Sequence, residues 1–209
     1  MRAYLSSYRL GNRPEELLTL LRGGRRAAMI GNAADYLDGA ERAAAMAREL
    51  ADLAGLGLEP FEVDLRDHFG RPGALREVLG GVDLIYPRGG NVYLLRRALR
   101  QSGGDEILTE LLRADAVVYS GYSAGPCMLG PTLRGIVSVE DDPTVVPPGY
   151  RPEVVWEGLG LLPCALVPHH RPDEPDSSIG YYRDHGIPYV TLRDGQALVI
   201  DGDRQDVVG

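Results

Sequence analysis

The chain alternates between short runs in which almost every position is apolar and longer stretches where apolar residues recur every three to four positions. Residues 26–31, 116–120 and 164–167 are apolar runs that read as buried strands, and residues 2–8 and 82–86 also read as strands. Residues 58–65 alternate apolar and polar and read as a further strand, with Pro60 marking an interruption or a sheet edge near its start. Between these lie helical patterns. Residues 14–22 open on Pro14 followed by two acids, and Asp38 begins a long alanine-rich segment that Gly55 and Gly57 close. Residues 74–79, 92–100 and 105–113 repeat the helical period, and 181–185 falls in or just after another helix. Residues 189–192 and 196–200 read as a C-terminal β-hairpin turned at Asp194-Gly195. The alternation of strands and helices predicts an α/β fold, a three-layer sandwich with a mostly parallel central sheet and right-handed crossovers, as one domain over 1–209.

One stretch breaks the pattern. Residues 133–148 carry the acidic cluster Glu140-Asp141-Asp142-Pro143 and then Pro147-Pro148-Gly149, the composition of an irregular, exposed excursion. Such excursions often carry function.

Composition narrows the class. With 209 residues, 44% hydrophobic and 25% charged, the chain can bury a sizeable core, and its formal charge of -8 argues against a general polyanion-binding surface. No nucleic-acid partner is expected. Arg22, Arg25 and Arg26 form the main basic cluster, between a helix and a strand, and read as solvent-facing. No apolar run approaches the roughly 20 residues of a membrane helix, and the first residues read as a strand rather than a signal peptide. The two cysteines, Cys127 and Cys164, lack metal-ligand spacing to a histidine and suit reduced thiols in a cytoplasmic protein. No metal and no cofactor are expected.

The chemistry gathers at strand ends. The run Val117 to Ser120 enters Gly121-Tyr122-Ser123-Ala124-Gly125, a G-x-S-x-G pattern that would put Ser123 on a sharp strand-to-helix corner. Gly89-Gly90 follows the preceding strand and His169-His170 a later one. In open α/β sheets ligands bind beyond the carboxyl ends of the strands, so these residues can meet in space. A serine hydroxyl needs a base, and imidazole suits that task near neutral pH. Backbone amides of Gly89, Gly90 and Ala124 could serve as donors to an oxyanion. The glycine turn lacks both the dinucleotide fingerprint and the Walker lysine, which disfavours a nucleotide site. Arg88, beside it, is a candidate partner for a substrate carboxylate.

These motifs, Arg88-Gly89-Gly90-Asn91 with Leu94-Leu95, then Gly121 to Gly125, then Pro168-His169, resemble those of the peptidase E and cyanophycinase family of serine peptidases, which share a fold with class I glutamine amidotransferases. The resemblance runs from the first strand to the terminal hairpin. It implies Ser123 as nucleophile, His169 as base, and Gly90 with Ala124 at the oxyanion hole. It also implies an acid between serine and histidine in a short acid-Pro segment. Here that segment is Glu140-Asp141-Asp142-Pro143, so Asp141 is the first choice, then Asp142 and Glu140, with Glu157 as an outsider and His170 as a rival base. Gly89, Asn91, Arg88 and Arg171 are candidate substrate-binding residues. Peptidase E prefers an N-terminal aspartate, read by a basic residue after the histidine. Arg171 and Arg183 stand in that region, but residues 171–183 depart from the family pattern and leave the preference open.

The leading expectation is therefore a cytosolic serine peptidase, monomer or homodimer, that hydrolyses dipeptides or small peptides through an acyl-enzyme. A non-catalytic protein that binds a small ligand on the same fold is the alternative, and an esterase or amidase a third reading.

Overall fold

The computed structural model describes residues 1–136 and 141–209. Seven strands form one sheet. In chain order they are β1 (Arg2–Ser6), β2 (Arg26–Ile30), β3 (Glu59–Glu62), β4 (Leu84–Pro87), β5 (Val118–Tyr122), β8 (Ala197–Asp201) and β9 (Arg204–Val208), arranged β3-β2-β4-β5-β1-β8-β9. The first five are parallel; β8 runs antiparallel to β1, and β9, antiparallel to β8, closes that edge. The proline-bearing β3 is the other edge, where a missing N–H costs no ladder bond.

Period-two alternation divides the core in two. Ala3 and Leu5 of β1, Ala28 and Ile30 of β2 and Tyr119 of β5 pack on one face. There they meet α3 (Pro72–Leu79), α4 (Val92–Ser102), α5 (Gly104–Arg113) and the short α6 (Ala124–Cys127). Tyr4, Ala27, Met29, Tyr86 and Tyr122 point the other way, against α1 (Pro14–Leu21) and α2 (Gly39–Gly55). Both sheet faces are thus covered, as the nearly continuous apolar strands require. Local signals set the helix ends: Asp38 accepts from the Glu41 amide at the start of α2, and Asn91 accepts from the Tyr93 and Leu94 amides at the start of α4.

The C-terminal region departs from expectation in two ways. Residues 189–192 do not pair with 196–200. Instead β7 (Tyr189–Thr191) runs parallel to β6 (Ala165–Val167) in a separate two-stranded sheet, backed by α7 (Ser177–Asp184). The hairpin is β8 with β9, one step later, turned around Gly202 at φ 62°. Asp194-Gly195 is then not a hairpin turn but a connection from the small sheet to the central one, anchored where the Ser7 amide donates to Gln196 O at 2.9 Å. An acid-Gly pair serves either kind of corner, so local sequence does not separate them.

Candidate active site

Parallel strands β4, β5 and β1 are neighbours, so their carboxyl ends lie side by side. From them come Arg88-Gly89-Gly90, Ser123 and Ser7.

Ser123 has φ 53° and ψ −109°, a conformation unfavourable for any residue with a side chain. The surrounding glycines make it achievable. A Cβ on Gly121 would lie 2.2 Å from Pro87 O, and one on Gly125 would lie 2.4 Å from the same oxygen. The Pro87 carbonyl therefore occupies the space that any side chain at either position would need. The corner is held by the Ser123 amide donating to Ser6 O at 3.2 Å and the Tyr119 hydroxyl donating to Gly125 O at 2.7 Å.

The glycine turn packs just as closely. A Cβ on Gly90, whose φ is 136°, would sit 2.4 Å from Ala33 O, and one on Gly89 would sit 2.5 Å from the Tyr122 ring and 3.0 Å from Ser123 Cβ. Ala124 opens α6, so its amide, like any in a first helical turn, has no intrahelical acceptor. The short α6 also buries Cys127, whose thiol is pushed well above its usual range by burial; it packs 3.6 Å from Leu166 O. It is a packed thiol and not a nucleophile, as its displacement from the elbow suggests.

Two cavities meet at Ser123, and His169 lines both. His169 Nδ1 is 2.7 Å from Asp194 Oδ1, and its backbone takes φ 58°, again a left-handed value. Ser7, fully buried beyond the end of β1, ties this pair down. Its Oγ accepts from the His169 amide at 2.8 Å and lies 3.1 Å from both Asp194 Oδ1 and Leu192 O, to one of which it can donate at a time. A Tyr8 ring edge lies against the imidazole at 6.0 Å between centroids. His170 lines neither cavity, and its amide donates to Leu192 O.

Among the described residues, the carboxylate at His169 Nδ1 is Asp194, which lies outside the acidic cluster. Asp141 does line the smaller cavity with Ser123, but its Oδ1 accepts from the Val92 amide at 2.8 Å, at the start of α4. Asp142 is turned to its own loop, where Oδ1 accepts from the Thr144 amide and hydroxyl. Glu157 is exposed and contributes its backbone carbonyl to Arg96. Glu140 lies outside the described residues. The physical reason is topological: the connection after β7 passes directly over the end of β1, next to His169, whereas the loop beyond residue 140 is drawn towards α4. Arg97 does much of that drawing, buried at 2% exposure and donating to the carbonyls of Pro143, Val145, Pro152 and Glu153 at 2.6 to 3.1 Å.

Two sequence expectations for substrate contacts also change. The Asn91 side chain, 1% exposed, is engaged at both ends, capping α4 and donating to Asp142 O at 2.9 Å, so it organises the loop. Arg171 lines the larger cavity but pairs with Glu174 at 3.1 Å, largely exposed. Gly89 and Arg88 line that cavity. Two residues escaped sequence reasoning. Asp194 was absorbed into a turn motif. Ser7 carried one faint signal, small polar residues closing an otherwise apolar strand.

No helix among the described residues is long and apolar enough to cross a membrane. The pattern of peptidase family S51 matches residues 9–208. A Drosophila melanogaster protein named probable alpha-aspartyl dipeptidase is 30% identical over 149 residues, 66% of this chain and 57% of that protein. An uncharacterized peptidase of Listeria innocua is 28% identical over 122 residues, 56% of this chain and 53% of that one. The chain spans little more than half the length of these relatives. A candidate peptidase E from Listeria monocytogenes EGD-e superposes with a TM-score of 0.76 at 22% identity, covering 99% of this chain and 97% of the other. A peptidase from an acI-B1 Actinobacterium gives 0.73 at 19% identity, covering 100% and 87%. At those identities the two structures share the fold. The family pattern itself runs over nearly the whole chain, through the glycine turn, the serine elbow and the histidine, and on that match the chain belongs to peptidase family S51.

Proposed function

We propose that this chain is a serine-type peptidase of dipeptides or other small peptides, with Ser123 as nucleophile, His169 as general base and Asp194 as the acid that orients it. The observation that carries the reading is the joint placement of a strained Ser123 elbow and a His169–Asp194 pair, 2.7 Å apart, on the wall of the larger cavity. Geometry gives each group a task. His169 takes the Ser123 proton as Oγ attacks the scissile carbonyl, then returns it to the departing amine, leaving an acyl-enzyme that water hydrolyses in the reverse sense. Asp194 at Nδ1 fixes the tautomer that leaves Nε2 basic and stabilises the imidazolium. The Gly90 and Ala124 amides are the donors to the oxyanion.

The small-peptide class is supported by the name of the Drosophila relative and by the size of the two cavities, about 310 and 440 Å³. The smaller is lined by the carboxylates Asp141 and Asp176 and, among the described residues, by no lysine or arginine, so an acidic first residue is not favoured on that side. Residence in a reducing compartment such as the cytoplasm suits the two free thiols.

The test is covalent labelling. A fluorophosphonate should modify Ser123 in the native protein, and Ser123→Ala should lose both labelling and dipeptide hydrolysis while melting at the native temperature. Hydrolysis that survives in Ser123→Ala would rule the assignment out.

A further inference from the structure

One buried titratable cluster has no task in the proposed mechanism, yet it lies directly behind the glycine turn. Asp35 follows the single helical turn Asn32–Ala34 beyond the end of β2, and its side chain is fully buried. Four groups converge on its carboxylate. Asn32 Nδ2 donates to Oδ2 at 2.8 Å, Arg42 Nε of α2 donates to Oδ1 at 2.7 Å, the Tyr150 hydroxyl donates to Oδ2, and Arg66 Nε stands at ion-pairing range, 3.5 Å. The oxygen of the Asn32 amide accepts from the Leu65 amide at 3.0 Å, so that side chain is held at both ends.

A buried ionic cluster is often no better for stability than apolar packing of the same volume. What it supplies is direction, because every hydrogen bond in it must keep its geometry. Here the geometry is that of the glycine turn. The Arg88 amide donates to Ile30 O at 3.1 Å and the Asn91 amide to Ala33 O at 2.8 Å, so residues 88–91 are laced along residues 30–33. The same Ala33 carbonyl fills the space beside Gly90, 2.4 Å from where a Cβ would lie. On the far side, Asn91 Nδ2 donates to Asp142 O at 2.9 Å. Tyr150, at the end of the loop that Asp142 opens, returns to Asp35, its ring edge-on to Phe69 at 5.4 Å between centroids. Gly90 and Asn91 are therefore gripped between two segments, and the Tyr150–Asp35 hydrogen bond ties those segments together.

We propose that Asp35 and Tyr150 are positioning residues for the Gly90 amide: their cluster fixes the Ala33 carbonyl, and through it the direction in which that amide meets the oxyanion. The inference rests on the proposed hydrolysis at Ser123 with Gly90 as a donor. Neither side chain lines either cavity at Ser123, so both act through the turn and not on the substrate. A hydrogen bond weakens steeply once its angle is lost, and a displacement of about 1 Å in a catalytic group costs about 100-fold in rate. Removing an oxyanion donor outright costs about 100- to 1000-fold in kcat, which is the ceiling for any effect passed through Gly90.

Tyr150→Phe keeps the ring and its contact with Phe69 and deletes only the hydroxyl. Assayed well below its melting temperature, it should lose about 10-fold in kcat with KM within about 2-fold of native, and Asp35→Asn should lose about 100-fold. Two further readouts tie the loss to the oxyanion. The first is inhibition by the aminoalkylboronic acid that matches the N-terminal residue of the dipeptide assayed. Ser123 Oγ adds to its boron, the serine proton passes to His169, and a boron hydroxyl takes the oxyanion position. The inhibition constant should rise by the factor by which kcat/KM falls. The second is the pH profile of kcat/KM, whose shape should not change, because the His169–Asp194 pair is untouched. Native kcat in folded Tyr150→Phe, a rise in KM in place of the loss in kcat, a boronate constant that stays native while kcat falls, or an altered pH profile would each overturn the proposal. A cluster that only stabilises the fold gives the first of these with a lowered melting temperature. Should Asp35→Asn fail to fold, Tyr150→Phe carries the test alone. The native protein keeps the two readings apart. If it labels with fluorophosphonate and binds the boronate while the variants keep native kcat, the peptidase reading stands and this one falls; if it neither labels nor hydrolyses dipeptides, both fall.

Discussion

Replacing Asp194 by asparagine gives the sharpest test of the catalytic geometry. The change keeps the shape and an acceptor oxygen but removes the charge that, in the proposed mechanism, faces the imidazole when His169 takes up the serine proton. With charge centres about 4 Å apart, the lost attraction is about 1 kcal/mol in a water-like medium and about 4 kcal/mol at an effective dielectric of 20. These limits correspond to about 5-fold and about 1000-fold in rate. The His169 and Asp194 side chains are 43% and 59% exposed, so water screens part of the interaction and the expected loss in kcat/KM is about 10- to 100-fold. Stability should hardly move, because exposed ion pairs contribute under about 1 kcal/mol. The assay is steady-state hydrolysis of a dipeptide alongside the rate of fluorophosphonate labelling, which should fall in parallel, with a thermal melt as control. Asp141→Asn is the matched comparison, since it keeps an acceptor for the Val92 amide and should lose less than Asp194→Asn. Native kcat/KM in Asp194→Asn, or a larger loss in Asp141→Asn, would refute the reasoning and return the acid to the segment the sequence first suggested.

Ser7→Ala should lower kcat about 10- to 100-fold while removing about 1 to 3 kcal/mol of stability, because the His169 amide loses its acceptor and the histidine and Asp194 lose their common anchor; kinetics and denaturant melts of Ser7→Ala and Ser7→Thr check it, the threonine restoring most of the activity. Arg97→Met should cost about 3 kcal/mol and open residues 143–153 to limited proteolysis before global unfolding, since four carbonyls lose one buried cation. Acid should weaken the fold through Asp64. Burial pushes that carboxyl up, but hydrogen bonds from Arg66 and Asn32 outweigh it and hold the group at about 2. Because the folded value lies below the unfolded one of about 3.9, the stabilisation is complete above pH 4 and lost as pH falls from about 4 towards 2. Denaturant midpoints measured across that window should fall less steeply in Asp64→Asn than in the native protein.

The fold was legible because it is written in local pattern. Apolar runs of strand length, helical periods between them and a proline near the start of the edge strand lead to a parallel sheet covered on both faces, and the structure has that sheet. The serine corner was legible for the same reason. Gly121, Ser123 and Gly125 lie within five residues, and what requires the glycines, the Pro87 carbonyl, belongs to the adjacent strand. Boundaries shifted by a residue or two, as helix and strand ends do.

The carboxylate that contacts His169 was not legible, and the reason is distance along the chain. His169 and Asp194 are 25 residues apart, and Ser7 stands 162 residues before the histidine it anchors. No local period links such positions; only the order of strands does. With β7 pairing β6 rather than folding back on β8, residues 192–196 must cross the end of β1, and that crossing delivers a carboxylate to the imidazole. Arg88 divides the same way. Its place beside the glycine turn could be read directly, but its burial with Glu49 and Tyr122, and the donors this leaves without partners, exist only because α2 packs across the end of β4 and β5. The sequence by itself determined the elements and the serine elbow, each set by neighbours a few residues away, and left two adjacent histidines as candidates; tertiary structure alone decided which of them lines the cavities, which carboxylate meets it and which charge lines the larger cavity, because all depend on the path the chain takes between its sheets.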